Sequence, residues 1–144
     1  MSIKKNIIVT LLFLLFAYTI YAEAPEKLII GKWLISDSAG SESGEVYMIF
    51  SEDGETKLEQ NGNVMEYATT GVMVKWRIDS NFDPIHFDLI QVTDNGDENA
   101  VLSIIKFIDD NTILLRASED KITRPTEFLE ENNSYQSTLT RVIE

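Results

Sequence analysis

Apolar and polar residues alternate along most of the chain beyond residue 22, and this period of two is typical of β-strands. Between residues 72 and 79 every even-numbered position is apolar, and three of the four odd-numbered ones are charged. Ile85, Phe87 and Leu89 alternate in the same way with His86 and Asp88. One face of each of these strands is therefore expected to be buried and the other, including His86 and Asp88, to be solvated.

Ten such runs are recognisable, and tight turns separate several of them. Asp53-Gly54 and Asn61-Gly62 are pairs that tolerate the positive φ of hairpin turns. Residues 101–108 are apolar on both faces over part of their length, so we expect them to be covered on both sides or to point into a barrel. The predicted strands are 28–36, 44–51, 55–60, 63–69, 72–79, 85–93, 100–108, 112–118, 125–130 and 134–143.

A series of eight to ten short strands joined by hairpins predicts an all-β fold, an up-and-down antiparallel β-barrel in a single domain over residues 23–144. Closure of the barrel hides the two edge strands that an open sheet exposes. A two-sheet sandwich is the alternative. It needs long crossover loops, and most of the predicted loops are too short for them.

The first 22 residues predict a secretory signal peptide. Lys4 and Lys5 precede an uncharged, mainly apolar run over residues 7–20, shorter than the roughly 20 residues of a membrane-spanning helix. Cleavage is expected after Ala22, with Ala24 as a second site and an uncleaved anchor as the alternative. We therefore expect an exported protein, periplasmic or secreted, with no stable membrane anchor after cleavage.

The composition excludes several kinds of partner and site. The chain has 12 basic and 24 acidic residues and a formal charge of −12, so it repels phosphate backbones and is a poor partner for nucleic acid. It contains no cysteine and one histidine, which excludes a disulfide framework and clusters of histidine and cysteine around a metal. The acidic turn at residues 94–98 does not match a calcium-binding loop. We expect no metal and no cofactor.

The first predicted strand contains Gly31-Lys32-Trp33, and Arg141 lies in the last one. A G-x-W on the first strand resembles the signature of lipocalins and related small barrels. That resemblance implies that Trp33 closes the base of a barrel and packs against Arg141. We expect the guanidinium to lie over the indole face, within about 6 Å.

A longer series of motifs carries a second resemblance, which extends from about residue 30 to residue 142. In order, the motifs are Asp83-Pro84, Phe87-Asp88-Leu89, Thr112-Ile113-Leu114-Leu115 and Arg124-Pro125-Thr126-Glu127-Phe128. Their order resembles a family of uncharacterised bacterial lipocalin-like domains with the pattern G-x-W, D-P, D-L and R-P-x-x-F. The resemblance implies a barrel and brings no established activity. It adds Arg124 to the structural signature of Gly31, Trp33 and Arg141.

Four aromatic residues and one arginine are the candidate ligand-binding residues: Tyr47, Tyr67, Trp76, Phe87 and Arg116. The aromatic ones alternatively form an ordinary core, because an eight-stranded barrel is either filled by side chains or holds one small ligand. Arg124 and Glu127 form either a ligand-facing pair or, for Arg124, a structural contact at the barrel rim. A serine-histidine-aspartate site could use only His86, the single histidine, and the sequence contains no nucleophile elbow. We therefore expect no enzyme.

Two functions are favoured at this stage, and an enzyme with a carboxylate-only active site is the third hypothesis. The first is a binding module for a small apolar molecule held inside the barrel. The second is an interaction or inhibitory module that recognises an exported protein through its acidic surface and the glycine- and serine-rich segment at residues 38–43.

Overall fold

The computed structural model describes residues 22–36, 44–65 and 71–144. The signal peptide prediction, except for Ala22, therefore lies outside the described residues. A short helix, α1 (Pro25–Leu28), precedes the strands. The strands are β1 (Gly31–Ser36), β2 (Val46–Phe50), β3 (Glu55–Gln60), β4 (Asn63–Met65), β5 (Met73–Asp79), β6 (Ile85–Val92), β7 (Glu98–Asp109), β8 (Thr112–Ala117) and β9 (Gln136–Arg141).

Eight of the strands form a closed antiparallel ring in the order β1-β2-β3-β5-β6-β7-β8-β9, and β9 pairs back with β1. β4 pairs only with β3, with which it forms a hairpin, and it is not part of the ring. The predicted up-and-down barrel is therefore confirmed and the sandwich is wrong. Closure leaves none of the eight ring strands as a free edge.

The predicted hairpin turns have the backbone conformations that their residues favour. Gly54 has a φ of 86°, and Asn61 and Gly62 have φ values of 53° and 77°. The Asp53 carboxylate accepts the backbone N–H of Glu55 at 3.0 Å and fixes the first of these turns. Turn chemistry thus sets the register of β2, β3 and β4.

The filled core lies at one end of the barrel, which we name the base. Its fully buried inward-facing residues are Trp33, Phe50, Phe87, Ile105, Ile113 and Leu139, each at most 1% exposed. Ile29, which follows α1, is equally buried and packs against this cluster. α1 and its following residues thus plug the base, and the opposite end, where β1 and β3 end and β2 and β7 begin, is named the mouth.

Two predicted strand assignments are wrong. Residues 28–30 precede β1, because Pro25 stands at the start of a helical turn that ends at Leu28. Residues 125–130 form no strand. Their backbone groups bond to side chains instead of a strand ladder, since Leu129 N–H donates to Gln136 Oε1 at 2.7 Å and the carbonyl of Glu127 accepts from Arg116 at 2.6 Å.

Residues 118–135 instead form an irregular segment, named the strap, which lies on the outer face of the barrel. Gln136 Nε2 donates to the carbonyl of Leu129 at 3.0 Å, and Arg124 Nη1 donates to the carbonyl of Ser103. Outward-facing Ile104 is completely buried. β7 is therefore covered on both faces in its middle part, as the apolar run predicted.

Candidate functional site

The base of the barrel is closed by Arg141 and Trp33. The Arg141 guanidinium carbon lies 4.2 Å from the centroid of the Trp33 ring, which confirms the expected contact. Arg141 also donates to the backbone carbonyls of Leu28, Ile30 and Asp110, the last two at 2.9 and 3.0 Å. One side chain thus ties together the segment after α1, the β7–β8 turn and the last strand.

Gly31 leaves room for this contact. A Cβ atom at residue 31 would lie 2.8 Å from Nη1 of Arg141, and the φ of Gly31 is 134°. Both the space and the backbone conformation therefore require glycine there. Three signature residues, Gly31, Trp33 and Arg141, come together at the base.

Three aromatic rings, two of which belong to the base, form a floor inside the barrel. The Phe50 ring meets the Phe87 ring edge to face at 5.5 Å and the Trp76 ring at 6.3 Å between centroids. The Trp76 indole N–H donates to the carbonyl of Ser51 at 3.0 Å, so its polar atom is satisfied. Edge-to-face packing of this kind favours a rigid floor.

Inward-facing residues between the floor and the mouth are apolar and only partly buried. Strand register and contact with the core identify them as Ile35, Met48, Leu58, Val74, Leu89, Val101 and Leu115. None of them is fully buried, whereas the base contains six fully buried inward-facing residues beside the partly buried Ile78, Ile85 and Phe107. We name these seven residues the upper wall.

Near the mouth the inward-facing residues become polar. Gln91 and Asn99 pair across β6 and β7 in the same inward-facing row as Val74, and both are exposed. Arg141 at the base is the only charged residue at an inward-facing position of the described ring strands, by register. The described interior therefore runs from a filled base through an uncharged apolar wall to a polar mouth.

Two buried hydroxyl groups face this interior, besides that of the partly buried Ser137. Ser103 is fully buried, and its hydroxyl contacts the carbonyl of Val101 at 3.4 Å. Thr56 is 8% exposed, and its Oγ1 has no hydrogen-bond partner among the described residues. An unpaired buried hydroxyl is uncommon and calls for a physical explanation.

The structure separates the candidate ligand-binding residues. Trp76 and Phe87 lie inside, in the floor. Tyr47 lies on the outer face, where Lys32 stacks over its ring at 4.4 Å. Arg116 is also outward-facing and binds the strap. Tyr67 lies outside the described residues.

Sequence reasoning missed the upper wall, although the alternation in β5 and β6 carried the signal for it. Tyr47 was predicted to line the interior, but its position in β2 is one residue out of phase with Met48. A period-two count along β2 would have placed Met48 inside and Tyr47 outside. Aliphatic residues and one methionine form the upper wall.

The outer wall carries a buried ion cluster that the sequence did not predict. Asp88 is only 4% exposed, so its expected solvation is wrong. Its two carboxylate oxygens lie 2.7 Å from Arg124 Nη1 and 2.8 Å from Arg77 Nη2. Burial is the largest single effect and raises the pKa of Asp88, but the hydrogen bonds and charges of Arg124 and Arg77 together outweigh it and hold the pKa below its usual value.

Arg124 therefore makes a structural contact, and its position is on the outer wall of β6 and β7 and not with the other signature residues at the base. It anchors the strap to the barrel through Asp88 and the carbonyl of Ser103. His86 is half-buried on the same face, and Phe82 stacks on its ring at 3.8 Å with an interplanar angle of 5°. A groove of about 410 Å³ lies beside this cluster.

The first turn of the strap is held by one carboxylate. Asp120 Oδ1 accepts the backbone N–H groups of Ile122 and Thr123 at 2.9 and 2.7 Å and the hydroxyl of Ser118 at 2.9 Å. The hydrogen bonds from Thr123 and Ile122 hold the pKa of Asp120 far below its usual value. Ile122 itself is 81% exposed at this fixed turn.

Comparisons with protein-family models, with curated proteins and with solved structures gave no match. The barrel and its interior therefore define the class of the protein, an eight-stranded antiparallel barrel with one plugged end. Within the described ranges, none of the helices has the length and apolar character needed to cross a membrane. The same ranges contain no group of three histidine, cysteine or acidic side chains arranged to hold a metal ion.

Proposed function

We propose that the protein is exported and holds one small, mostly apolar molecule inside the barrel. The observation that supports this function is the change in burial along the inward-facing residues. The fully buried apolar residues that face inward in the described strands all lie at the base, whereas the upper wall is apolar and partly exposed. An interior filled by its own side chains from end to end would not leave aliphatic residues at this depth accessible.

The dimensions of the ring fit this role. An eight-stranded barrel is wide enough for one small ligand when its own side chains do not fill it. The floor of Phe50, Phe87 and Trp76 closes the lower half, so the ligand enters through the mouth. Binding sites of this kind combine an apolar wall with a few polar groups that orient the ligand.

Native mass spectrometry of the full protein purified from its own host tests the proposal. We expect an adduct with the mass of one small molecule, which disappears when the protein is denatured and can then be identified in the organic extract. A neutral fluorescent probe should also bind saturably to the emptied protein. Absence of both the adduct and saturable probe binding would exclude the function.

A second function is supported by Ile122. It is 81% exposed on a turn whose backbone is fixed by Asp120, and a segment that is already ordered loses little entropy when a partner covers it. We infer an exported protein as the partner. Ile122→Asp should abolish recovery of that partner from the exported fraction, whereas Ile143→Asp, at a site 76% exposed, should not. Equal recovery with both variants would exclude this function.

A further inference from the structure

The unpaired hydroxyl of Thr56 lies at the boundary between the filled base and the upper wall. Thr56 is opposite Phe50 in β2 and Val74 in β5, so it faces inward. Phe50 is 1% exposed, whereas Leu58, the next inward-facing residue of β3, is partly exposed. The Thr56 side chain therefore stands at the level where the packed floor ends.

A buried hydroxyl without a partner destabilises the folded protein, because it loses the hydrogen bonds that water provides in the unfolded chain. Among the described residues, Thr56 Oγ1 has no hydrogen-bond partner that would replace this water. The hydroxyl of Ser103, also inward-facing, has the carbonyl of Val101 within reach. Of these two hydroxyl groups, Thr56 is the one that a bound molecule would satisfy.

The interior offers no counter-charge to a ligand. Arg141 lies below the floor, and its guanidinium is occupied by three backbone carbonyls and the Trp33 ring. The upper wall consists of aliphatic residues and methionine. A carboxylate or ammonium group inserted there would lose its hydration without gaining an ion pair.

We propose that the molecule held in the barrel is uncharged and inserts a single hydrogen-bonding oxygen, an alcohol or carbonyl, which pairs with Thr56 Oγ1 at the floor. This inference rests on the proposed function. The apolar remainder of the ligand lies against the upper wall and extends toward Gln91 and Asn99 at the mouth. Thr56 thus determines specificity, because it favours ligands that carry an oxygen atom at the level of the floor.

Chain-matched probes test this proposal with the full protein. Displacement of the neutral fluorophore N-phenyl-1-naphthylamine would be measured with 1-octanol, 1-chlorooctane and octanoate. We compare the wild-type protein with Thr56→Val, which removes the hydroxyl at nearly constant shape. Thr56→Ser retains the hydroxyl, and Ser103→Ala removes the one that already has a partner.

We expect octanol to bind more tightly than octanoate at neutral pH. Thr56→Val should weaken octanol binding about fivefold or more and leave chlorooctane binding unchanged. Thr56→Ser and Ser103→Ala should retain the preference for octanol. Without ligand, Thr56→Val should unfold at the same temperature as the wild type or a higher one, because it removes an unpaired hydroxyl.

Three results would overturn the inference. Octanoate binding as tight as octanol binding excludes the uncharged class, and unchanged octanol affinity in Thr56→Val excludes the hydroxyl as its partner. A lower unfolding temperature of Thr56→Val assigns the hydroxyl a structural role. In each of these cases saturable probe binding persists and the proposed function stands, whereas absence of all binding removes both.

Discussion

The guanidinium of Arg141 covers the indole of Trp33 at 4.2 Å and simultaneously binds the carbonyl of Ile30 at 2.9 Å. The pair therefore acts as more than a cation–π contact, because it also satisfies backbone groups at the base that β-pairing leaves free. Closure of the barrel and plugging of its base depend on the same side chain.

Replacement of Arg141 should destabilise the protein strongly. Arg141→Met keeps an apolar stem over Trp33 but leaves the carbonyls of Leu28, Ile30 and Asp110 without their donor, so we expect a loss of roughly 2–4 kcal/mol in the free energy of unfolding. Arg141→Lys should lose less, because it keeps the charge but not the planar fork. Denaturant titration monitored by tryptophan fluorescence measures both, and equal stability of all three proteins would contradict the prediction.

Gly31→Ala should cost about 1–3 kcal/mol in the wild-type protein, because alanine is strained at a φ of 134° and its Cβ would meet Arg141. The steric part of this cost disappears when the guanidinium is removed. A double-mutant cycle with Arg141→Met therefore separates the two causes. Additive effects would show that only backbone strain requires glycine at residue 31.

Asp88 should contribute stability that depends on pH. Its pKa in the folded protein lies below the ordinary carboxyl value, so its contribution is complete above about pH 4–5 and is lost as the pH falls through the folded-state pKa. Asp88→Asn should lower stability near pH 7 by roughly 2–4 kcal/mol, because Arg124 and Arg77 lose their counter-charge. Urea titrations from pH 7 to pH 2 should show the difference shrinking below pH 4, and a difference that does not change with pH would refute this.

Filling the upper wall should remove ligand binding while retaining the fold. Val101→Phe adds a ring to the interior, and we expect at least a tenfold weaker affinity for a neutral fluorescent probe. Ala100→Phe is the matched control, because the neighbouring residue of β7 faces outward. Circular dichroism should show a β-barrel in both variants. Equal probe binding by the two proteins would place the ligand elsewhere.

The turn of the strap should loosen when its carboxylate is removed. Asp120→Ala deletes the acceptor for the N–H groups of Ile122 and Thr123, so their hydrogen exchange should become faster while that of β7 stays unchanged. Glu130→Ala removes an equal charge from an exposed position of the strap and should leave both amides as they are. Unchanged exchange in Asp120→Ala would show that other contacts hold the turn.

The sequence predicted the barrel because alternation and hairpin turns are local signals. Asn61-Gly62 determines the turn between β3 and β4, and the alternation in β5 determines which face of that strand points inward. Both signals act over only a few residues. The sequence could not predict the burial of Asp88, because the neutralising Arg124 comes from residues 118–135, which carry no periodic pattern. The segment that contains the motif R-P-x-x-F was predicted to form a strand over residues 125–130. Backbone groups of this segment bond instead to side chains such as Arg116 and Gln136.

The interior was predicted only in part for a related reason. Alternation identifies inward-facing residues, yet their depth along the barrel depends on the stagger between strands. Phe87 and Leu89 therefore look equivalent in the sequence, although one is completely buried in the floor and the other belongs to the partly exposed upper wall. The unpaired state of Thr56 depends on all neighbouring strands and has no local signature.

The pairing of β9 with β1 has a consequence for folding during synthesis. Arg141 and Ile30 are separated by 111 residues, and the ring cannot close until the last of its strands has left the ribosome. Contacts of such long range also slow folding. A nascent chain therefore cannot form the closed barrel until its C-terminal strand has been synthesised.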